Sequence, residues 1–515
     1  MLAVIVLAVA GGVAYTFYLN HEVHRISVSG LSTGATTGAD AGTENILMVG
    51  STTRCGLAKQ TPAYGLCTEG VTGVNSDVIM ILHLDAATKS VSVLSIPRDL
   101  FVPNARSTGA YKVDAALAQG PSQLVAVVEE DFGIPIQHYV ELNFDTFAAI
   151  VTTFGGITME FPDRVFDRES GLRVFSTGCH HLDGVEALQV VRSRHLQYWV
   201  TGDTPTTPST WPQEAQSDLA RIVRDHEFLR VLATKVASRG LGNASTDLSL
   251  ISQVLPDLTV DSGLSLSDMA NLVLTFHSVN VNKAPQLTLP VRVGTFGTYI
   301  YEGGNFGDVE FPAEPDDQTV IDKFLGLGTD TSTMTGTALP SPSSVTVSVL
   351  NGTGTTGQAT QTATDLGKLG FHTVGTGTTT SVGQYAETLV TYSQRTPADE
   401  AAAQLVADSL AGEVVLDYGP TADGADVTVT TGTDFSVDAT APSRAAKGST
   451  PRTTTTTTAP ATPTSTSSSS STTPSSSTVT SATTSFAAPS TSNPSLAPYD
   501  PRACPAGVTG NSGDW

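Results

Sequence analysis

The chain is 515 residues long, more than one ordinary domain holds, so two or three folded units are expected. Its 49 Asp and Glu against 26 Lys and Arg leave a net charge of −23, which excludes the basic face that non-specific nucleic-acid binding needs. Only 15% of residues are charged, with 47 Gly and heavy Ser/Thr usage, a composition that fits an exported protein better than a cytosolic enzyme.

Residues 2–19 read LAVIVLAVAGGVAYTFYL, an uncharged run just long enough to cross a bilayer core. No basic stretch precedes it and no small-x-small cleavage site follows, so it reads as an uncleaved anchor over 1–20. A linker over 21–43 follows, with everything after about His21 outside the cytoplasm. Glu44–Gly50, Asp77–Leu84 and Ser90–Ile96 are short apolar runs that predict buried strands, the last two joined by a hairpin turn at Asp85–Lys89. Pro97 ends the third, because proline lacks the ladder donor. Lys112–Gln119 and Pro121–Phe132 predict helices, His138–Asn143 a strand, Phe144–Phe154 a helix stopped by Gly155-Gly156, and Ile157–Phe161 a strand. Gly178–His195 reads as a loop, then a helix from near Asp183 whose far end carries Arg192 and Arg194. Asp218–Val236 is the longest clean helix, with Arg221 and Arg224 neighbours on one face near its start. Leu248–Leu255 and Ser265–Leu274 predict helices and Gln286–Val291 a strand. This alternation indicates an α/β sandwich.

Thr329–Ser343 reads as a Thr/Ser/Gly/Pro linker. From Ser344 to Gly432 strands and helices alternate again, which predicts a second, small α/β domain; helices are expected over Gly357–Leu369 and Pro397–Leu410. Residues 433–515, with homopolymer runs at Thr453–Thr458 and Ser467–Ser471, have the composition of a disordered Ser/Thr/Pro tail. Of the 4 cysteines, Cys55 and Cys67 flank a short insert and are expected to close it as a disulfide. Cys179 and Cys504 are left over as a possible second pair, the latter beyond the tail.

With so few cations, those at strand ends and on one helix face stand out. Ser95-Ile96-Pro97-Arg98-Asp99 aims an Arg-Asp pair from the C-terminal end of a strand, the edge where ligands bind in open α/β sheets. An ordinary surface pair is the alternative. Arg192, Arg194, Arg221 and Arg224 would gather four guanidiniums if their helices meet, about what a pyrophosphate needs, against the alternative of a solvated face. Asp77, opening a strand after Ser76, is either a strand-start cap or a carboxylate for Mg²⁺, which takes one or two carboxylates plus phosphate oxygens.

Together, NILMVGSTTR, SDVIMILHLDAATKSVSVLSIPRDLFVP, YKVDAA, GIPIQHYVELNFDTFAAIVTTFGGI, RSRH and DLARIVRDHEFL resemble the LytR-CpsA-Psr family of cell-wall phosphotransferases over residues 44–328. VTVSVLNGTGTTGQA resembles the C-terminal domain attached to actinobacterial members, over 344–432. The resemblance implies an α-β-α sandwich on a single-pass anchor in the cytoplasmic membrane, with the bulk of the chain extracytoplasmic. It implies transfer of a glycopolymer from a polyprenyl pyrophosphate carrier to peptidoglycan through a phosphodiester link, with an arabinogalactan-type polymer expected. It carries over Arg98 and Asp99 as catalytic, with Asp99 orienting Arg98 or assisting the acceptor hydroxyl. Arg54, Lys112, Arg192, Arg194, Arg221 and Arg224 become pyrophosphate or head-group contacts, and Asp77 a ligand of Mg²⁺ or Mn²⁺. The sequence departs from the family pattern at Thr52, where a second metal carboxylate is usual, at Asn75, where Arg is usual, and at Asp225 and His226, where a Gln pair is usual. Two alternatives follow from these departures and from the shared residues: a non-catalytic relative that binds lipid-linked substrate or wall polymer, and a polyprenyl pyrophosphate phosphatase using water as acceptor.

Overall fold

Period-two alternation along the strands sets the architecture. The computed structural model describes residues 23–34, 42–55, 57, 66–70, 72–199, 207–214, 217–238, 258–276, 279–280, 283–293, 299–301, 303–314, 316–327, 332–335, 337–380, 382, 385, 387–433, 435–438, 502–505, 508 and 510. Seven strands form one mixed sheet in the order His24–Ile26, Thr259–Asp261, His138–Leu142, Thr43–Ser51, Ser76–Asp85, Ser90–Ser95, Gln286–Thr288. The three strands of the 43–95 meander pair antiparallel, and His138–Leu142 and Gln286–Thr288 flank them in parallel.

Leu47, Val49, Ile79 and Ile81 face one side of this sheet and bury against Leu124, Val127 and Val128 of the helix Pro121–Phe132 and Phe324 of the helix Asp316–Leu325. Their neighbours Met48, Val78 and Met80 face the other side, toward the helices Phe144–Thr153, Gly184–Arg192 and Ser217–Ser238. The result is an α-β-α sandwich. On the second side the helices do not close onto the sheet, and a cavity open to solvent separates them, about 770 Å³ with its open mouth included.

Local sequence explains the helices that border it. Asn143 accepts a hydrogen bond from the Thr146 amide and caps the first. Gly155 and Gly156, at φ 69° and 67°, end it in a conformation glycine adopts freely. Asp183 and Glu186 form a capping box on the second, and a side chain at Gly184 would strike the Ala148 carbonyl, so the two helices cross closely at that point.

The second unit is a five-stranded sheet in the order His372–Thr378, Thr346–Asn351, Val427–Thr431, Thr388–Tyr392, Val414–Tyr418, with the helices Gln358–Lys368 and Pro397–Ala407 packed on it. It docks on the first unit. Glu314 and Gly412 exchange two backbone hydrogen bonds of 2.8 Å, and Arg395 pairs with Glu130.

Several expectations need correction. Gly178–Leu182, read as loop, is a strand paired with Ile157–Phe161; its Gly-Cys-His-His run gives no strand signal of its own. Phe101–Arg106 and Gly109–Lys112 form a hairpin where none was expected, and Lys112–Gln119 is a 3-10 helix that begins at Val113. The 21–43 linker contributes an edge strand, and Met334 and Leu339 of the 329–343 linker pack on the second core. Tail composition also misled. Phe435–Val437 pairs with Leu410–Gly412, and Arg502–Ala503 adds a strand to the edge of Ile157–Phe161, held by a Cys179–Cys504 disulfide. The Cys55–Cys67 disulfide is present. Residues 2–19, the helix expected at Leu248–Leu255 and most of the tail lie outside the described residues. Among the described residues no helix is long and apolar enough to cross a membrane.

Candidate active site

The cavity is greasy within and charged at one end. Met80, Leu142, Phe147, Leu188, Phe228 and Leu229 line its depth, whereas Ser51, Asp77, Arg192, Arg221 and Asp225 line the end at the strand termini. An apolar void of this size between packed layers forfeits dispersion contacts, so it suits a chain-like apolar ligand.

Arg98 is the hub of the charged end. The turn after Pro97 places its guanidinium against Asp77, with Asp99 at 3.5 Å, Asp218 at 3.8 Å and Asp114 at 3.9 Å. Burial works against its charge, but these four carboxylates outweigh burial and hold the guanidinium charged well above the usual range. Asp99 accepts from Lys112 at 2.8 Å and Arg194 at 3.0 Å. Burial pushes the Asp99 carboxyl up, yet Arg98, Lys112 and Arg194 win and hold it below the usual range. A carboxylate so stabilised is a weak base and a strong anchor, so the geometry favours Asp99 as the group that orients Arg98 rather than one that takes a proton.

Arg221 donates to the Asp77 carbonyl at 2.6 Å and pairs with Asp218 at 2.9 Å, and Arg194 reaches the same Asp218 oxygen at 3.2 Å. Arg192 and Arg54 approach the Phe144 ring at 4.6 and 5.3 Å. Of the residues expected from sequence, the fold brings Arg54, Asp77, Arg98, Asp99, Lys112, Arg192, Arg194 and Arg221 together at this end of the cavity.

Arg224 stands apart. It is 1% exposed, its Nη1 donates to both Glu214 oxygens at 2.6 and 2.7 Å, and its Nη2 holds the Ser193 carbonyl. This places Arg224 as a brace for the Arg192–Arg194 turn, not at the mouth where the sequence expectation put it. Asp167 braces the same turn through Ser193 Oγ and the His195 amide.

The departures also acquire positions. Thr52 Oγ1 accepts from the Asn75 amide at 2.9 Å and faces the Gly73 carbonyl at 3.3 Å, so it ties two loops together. Asn75 Nδ2 donates to Asp114 at 3.2 Å. His226 turns away to Ser95 Oγ at 2.7 Å, and burial lowers its ring to about 4, so it is neutral.

Three groups escaped a sequence reading, and a fourth, Asp218, was read with Arg221 and Arg224 but without its partners. Asp114 lies within the quoted YKVDAA segment and is pushed up to about 6, mainly by burial. Asp218 opens the long helix as the shared partner of three arginines. Glu214 precedes that helix. Glu310 is far along the chain from every motif; its amide donates to the Asp99 carbonyl at 3.0 Å, and burial, then Asp218 and Asp99, push its carboxyl to about 8.

As to a metal, no group of three or more His, Cys, Asp or Glu with metal-holding geometry occurs among the described residues. Asp77 is the carboxylate between Arg98 and the cavity. That donor set fits a hard cation completed by phosphate oxygens and water, and does not fit one held by protein alone.

Residues 344–435 match the family described as LytR cell envelope-related transcriptional attenuator. A probable cell wall biosynthesis protein, LcpB of Corynebacterium glutamicum, is 32% identical over 55% of this chain and 62% of its own length. TagV of Bacillus subtilis, a polyisoprenyl-teichoic acid–peptidoglycan teichoic acid transferase, is 32% identical over 33% of this chain and 41% of its own. The chain therefore spans less than two thirds of either relative. A solved structure, a LytR-Csp2A-Psr enzyme from Actinomyces oris, aligns at 23% identity with TM-score 0.43, over 58% of this chain and 95% of that one. Residues 19–307, more than half of the chain, match the LytR_cpsA_psr family, and the chain belongs to it.

Proposed function

We propose that the chain transfers a glycopolymer from a polyprenyl pyrophosphate carrier to peptidoglycan, as an extracytoplasmic enzyme anchored to the membrane by residues 1–20. The observation that carries the reading is the cavity: an apolar channel whose charged end is lined by Asp77, Arg192 and Arg221, with Arg98 and Arg194 beside it, ion-paired to Asp77, Asp99 and Asp218. A prenyl chain suits the first part and a pyrophosphate the second. The relatives' descriptions agree in kind, since LcpB is a probable cell wall biosynthesis protein and TagV a transferase to peptidoglycan.

In this reading the acceptor hydroxyl oxygen bonds to the phosphorus that carries the polymer. The bond from that phosphorus to the bridging oxygen breaks, and polyprenyl phosphate leaves with the electron pair. Arg98, Arg194 and Arg221 exchange their carboxylates for phosphoryl oxygens and hold the reacting group in line. The hydroxyl proton passes to a carboxyl of the site; Asp114 and Glu310, whose proton affinities lie near neutrality, suit that role better than Asp99. A Mg²⁺ or Mn²⁺ held by Asp77 would supply further charge neutralisation at the phosphates. An arabinogalactan-type polymer is the expected donor.

The test is the full chain in detergent with a short-chain lipid-pyrophosphate glycan donor and peptidoglycan fragments, with and without Mg²⁺, beside Arg98→Ala. Cation-dependent formation of the phosphodiester product, abolished in the variant, supports transfer. Release of the glycan phosphate to water alone would replace transferase by phosphatase, and saturable binding without turnover would replace it by a carrier-binding protein.

A further inference from the structure

One group in the cavity has no structural task. Asp225 is 3% exposed and lines the cavity where its charged end meets Phe228 and Leu229, and neither of its carboxyl oxygens has a hydrogen-bond partner. The nearest cation, Arg221, has its Nε 3.9 Å from Oδ2, beyond hydrogen-bond distance, and commits Nη2 to the Asp77 carbonyl and Asp218. An ionised carboxylate without donors in such a place is costly, whereas a carboxylic acid there is a donor that lacks an acceptor.

Resting on the lipid-carrier reading above, we propose that Asp225 works as a neutral carboxylic acid that donates a hydrogen bond to a phosphoryl oxygen of the carrier, so that capture of the lipid pyrophosphate depends on a proton. Position supports the role. A prenyl chain lying against Phe228 and Leu229 brings its first phosphate to the next turn of the same helix, between Arg221 and Asp225. The groups that face Asp225 are Arg221, Arg224 and Asp218 from its own helix, Asp77 from the strand Ser76–Asp85 and Arg192 from across the cavity; His226, its neighbour, is turned to Ser95. Burial is the largest influence and pushes the acid up to about 8, with Arg221 and Arg224 drawing it down and Asp218 and Asp77 pushing it further up. The group therefore keeps its proton through neutral pH and loses it in mildly alkaline solution. Once ionised, it repels the phosphate it had bound.

The experiment measures binding of geranylgeranyl pyrophosphate to the full chain, without divalent cation, at about pH 7.5 and about pH 9, with geranylgeraniol as the uncharged probe. Linkage to one proton held with a pKa of about 8 weakens pyrophosphate binding about eightfold over that interval, while geranylgeraniol binding stays within about twofold. Asp225→Asn, which keeps a donor and cannot ionise, binds the pyrophosphate like the native chain at the lower pH and shows less than about twofold change. Asp225→Leu, which keeps neither, binds about tenfold more weakly at both values. Circular dichroism establishes that each variant is folded. Equal pH profiles for native chain and Asp225→Asn overturn the proposal and leave the lipid-carrier reading standing. Failure of the native chain to bind either probe at any pH overturns both.

Discussion

Arg224 separates two accounts of the same motif. As a head-group contact it would be costly to function and cheap to stability; as a brace it would be the reverse. The structure gives it three donated hydrogen bonds inside the protein, two to Glu214 at 2.6 and 2.7 Å and one to the Ser193 carbonyl. The Glu214 side chain is 0% exposed, so Arg224→Ala removes the guanidinium that donates to both of its oxygens, with no water to take over. Breaking a buried pair in this way costs about 3–5 kcal/mol, a factor of roughly a hundred to a few thousand in the unfolding constant. Arg221→Ala should cost less, about 1–2 kcal/mol. Its partner Asp218 keeps Arg194 at 3.2 Å and Arg98 at 3.8 Å. Urea unfolding followed by tryptophan emission is suited to the question, because Trp211 is 2% exposed and lies three residues before Glu214. The double variant Arg224→Ala/Glu214→Ala should recover part of the loss, since neither charge is left alone. If Arg224→Ala unfolds within about 1 kcal/mol of the native chain yet loses lipid-pyrophosphate binding, the brace is wrong and the head-group contact is right.

Three further outcomes follow from single features. A specific protease site inserted between residues 451 and 500 should, after cleavage, leave the C-terminal piece attached to the rest through Cys179–Cys504; a gel run without reductant shows one band, and dithiothreitol or Cys504→Ser releases the fragment. The junction between the two units buries Glu314, Asp317, Asp131 and Glu387, all pushed up chiefly by burial, with Asp317 and Glu387 near 7. The folded chain therefore binds more protons than the unfolded one, so stability from this junction is full at acid pH and is lost as pH rises through about 7; calorimetry should show a higher melting temperature near pH 5 than near pH 8, and Asp131→Asn should flatten the difference. Asp218→Asn removes the counter-charge shared by Arg98, Arg194 and Arg221 and should strengthen cation-free binding of geranylgeranyl pyrophosphate by about tenfold, read by calorimetric titration; weaker binding would mean that Asp218 positions the arginines more than it competes for them.

Elements whose ends carry their own punctuation were legible in the sequence. The strands Ser76–Asp85 and Ser90–Ser95 are apolar runs separated by a turn and closed by Pro97, and the helix Phe144–Thr153 is bounded by Asn143 and a Gly pair. Because the ion-paired residues at the cavity's charged end sit at those same ends, Asp77, Arg98 and Asp99 could be read with them. What sequence did not disclose is pairing over long separation. Cys179 and Cys504, 325 residues apart, could be paired only as the two cysteines left over, and Glu310 reaches Asp99 only because an edge strand lies along Leu100. Arg221 and Arg224 share a helix face by spacing, but Glu214 claims one of them and Asp218 the other, which spacing alone does not determine. Low-complexity composition hid the packing of Met334 and the strand at Arg502–Ala503, since a few anchoring residues suffice when a core or a sheet edge already exists to receive them.

The arrangement of charge at the mouth bears on how the proposed pyrophosphate site would rest without its ligand. Arg98, Lys112, Arg194 and Arg221 are matched by Asp77, Asp99, Asp218 and Asp114, the last pushed only to about 6 and so mostly ionised at neutral pH, while Asp225 and Glu310 lean toward the neutral form, each pushed to about 8 mainly by burial. Those four cations thus face four carboxylates and two acids, with Arg54 and Arg192 on the Phe144 ring beside them. A pyrophosphate that takes Arg98, Arg194 and Arg221 away from their partners frees Asp77, Asp99 and Asp218 at the same moment. Freed carboxylates beside a new anion must be compensated, and the chemistry allows two ways: a divalent cation at the carboxylate nearest the cavity, or protons retained on the acids that burial has already raised. Guanidinium suits the exchange, because it remains charged through both halves of it and offers the same planar fork to carboxylate and phosphate. In the proposed function, the excess of carboxyl groups over these four cations would couple phosphate capture to a proton or a metal, and a site built from arginines alone would bind its ligand without either.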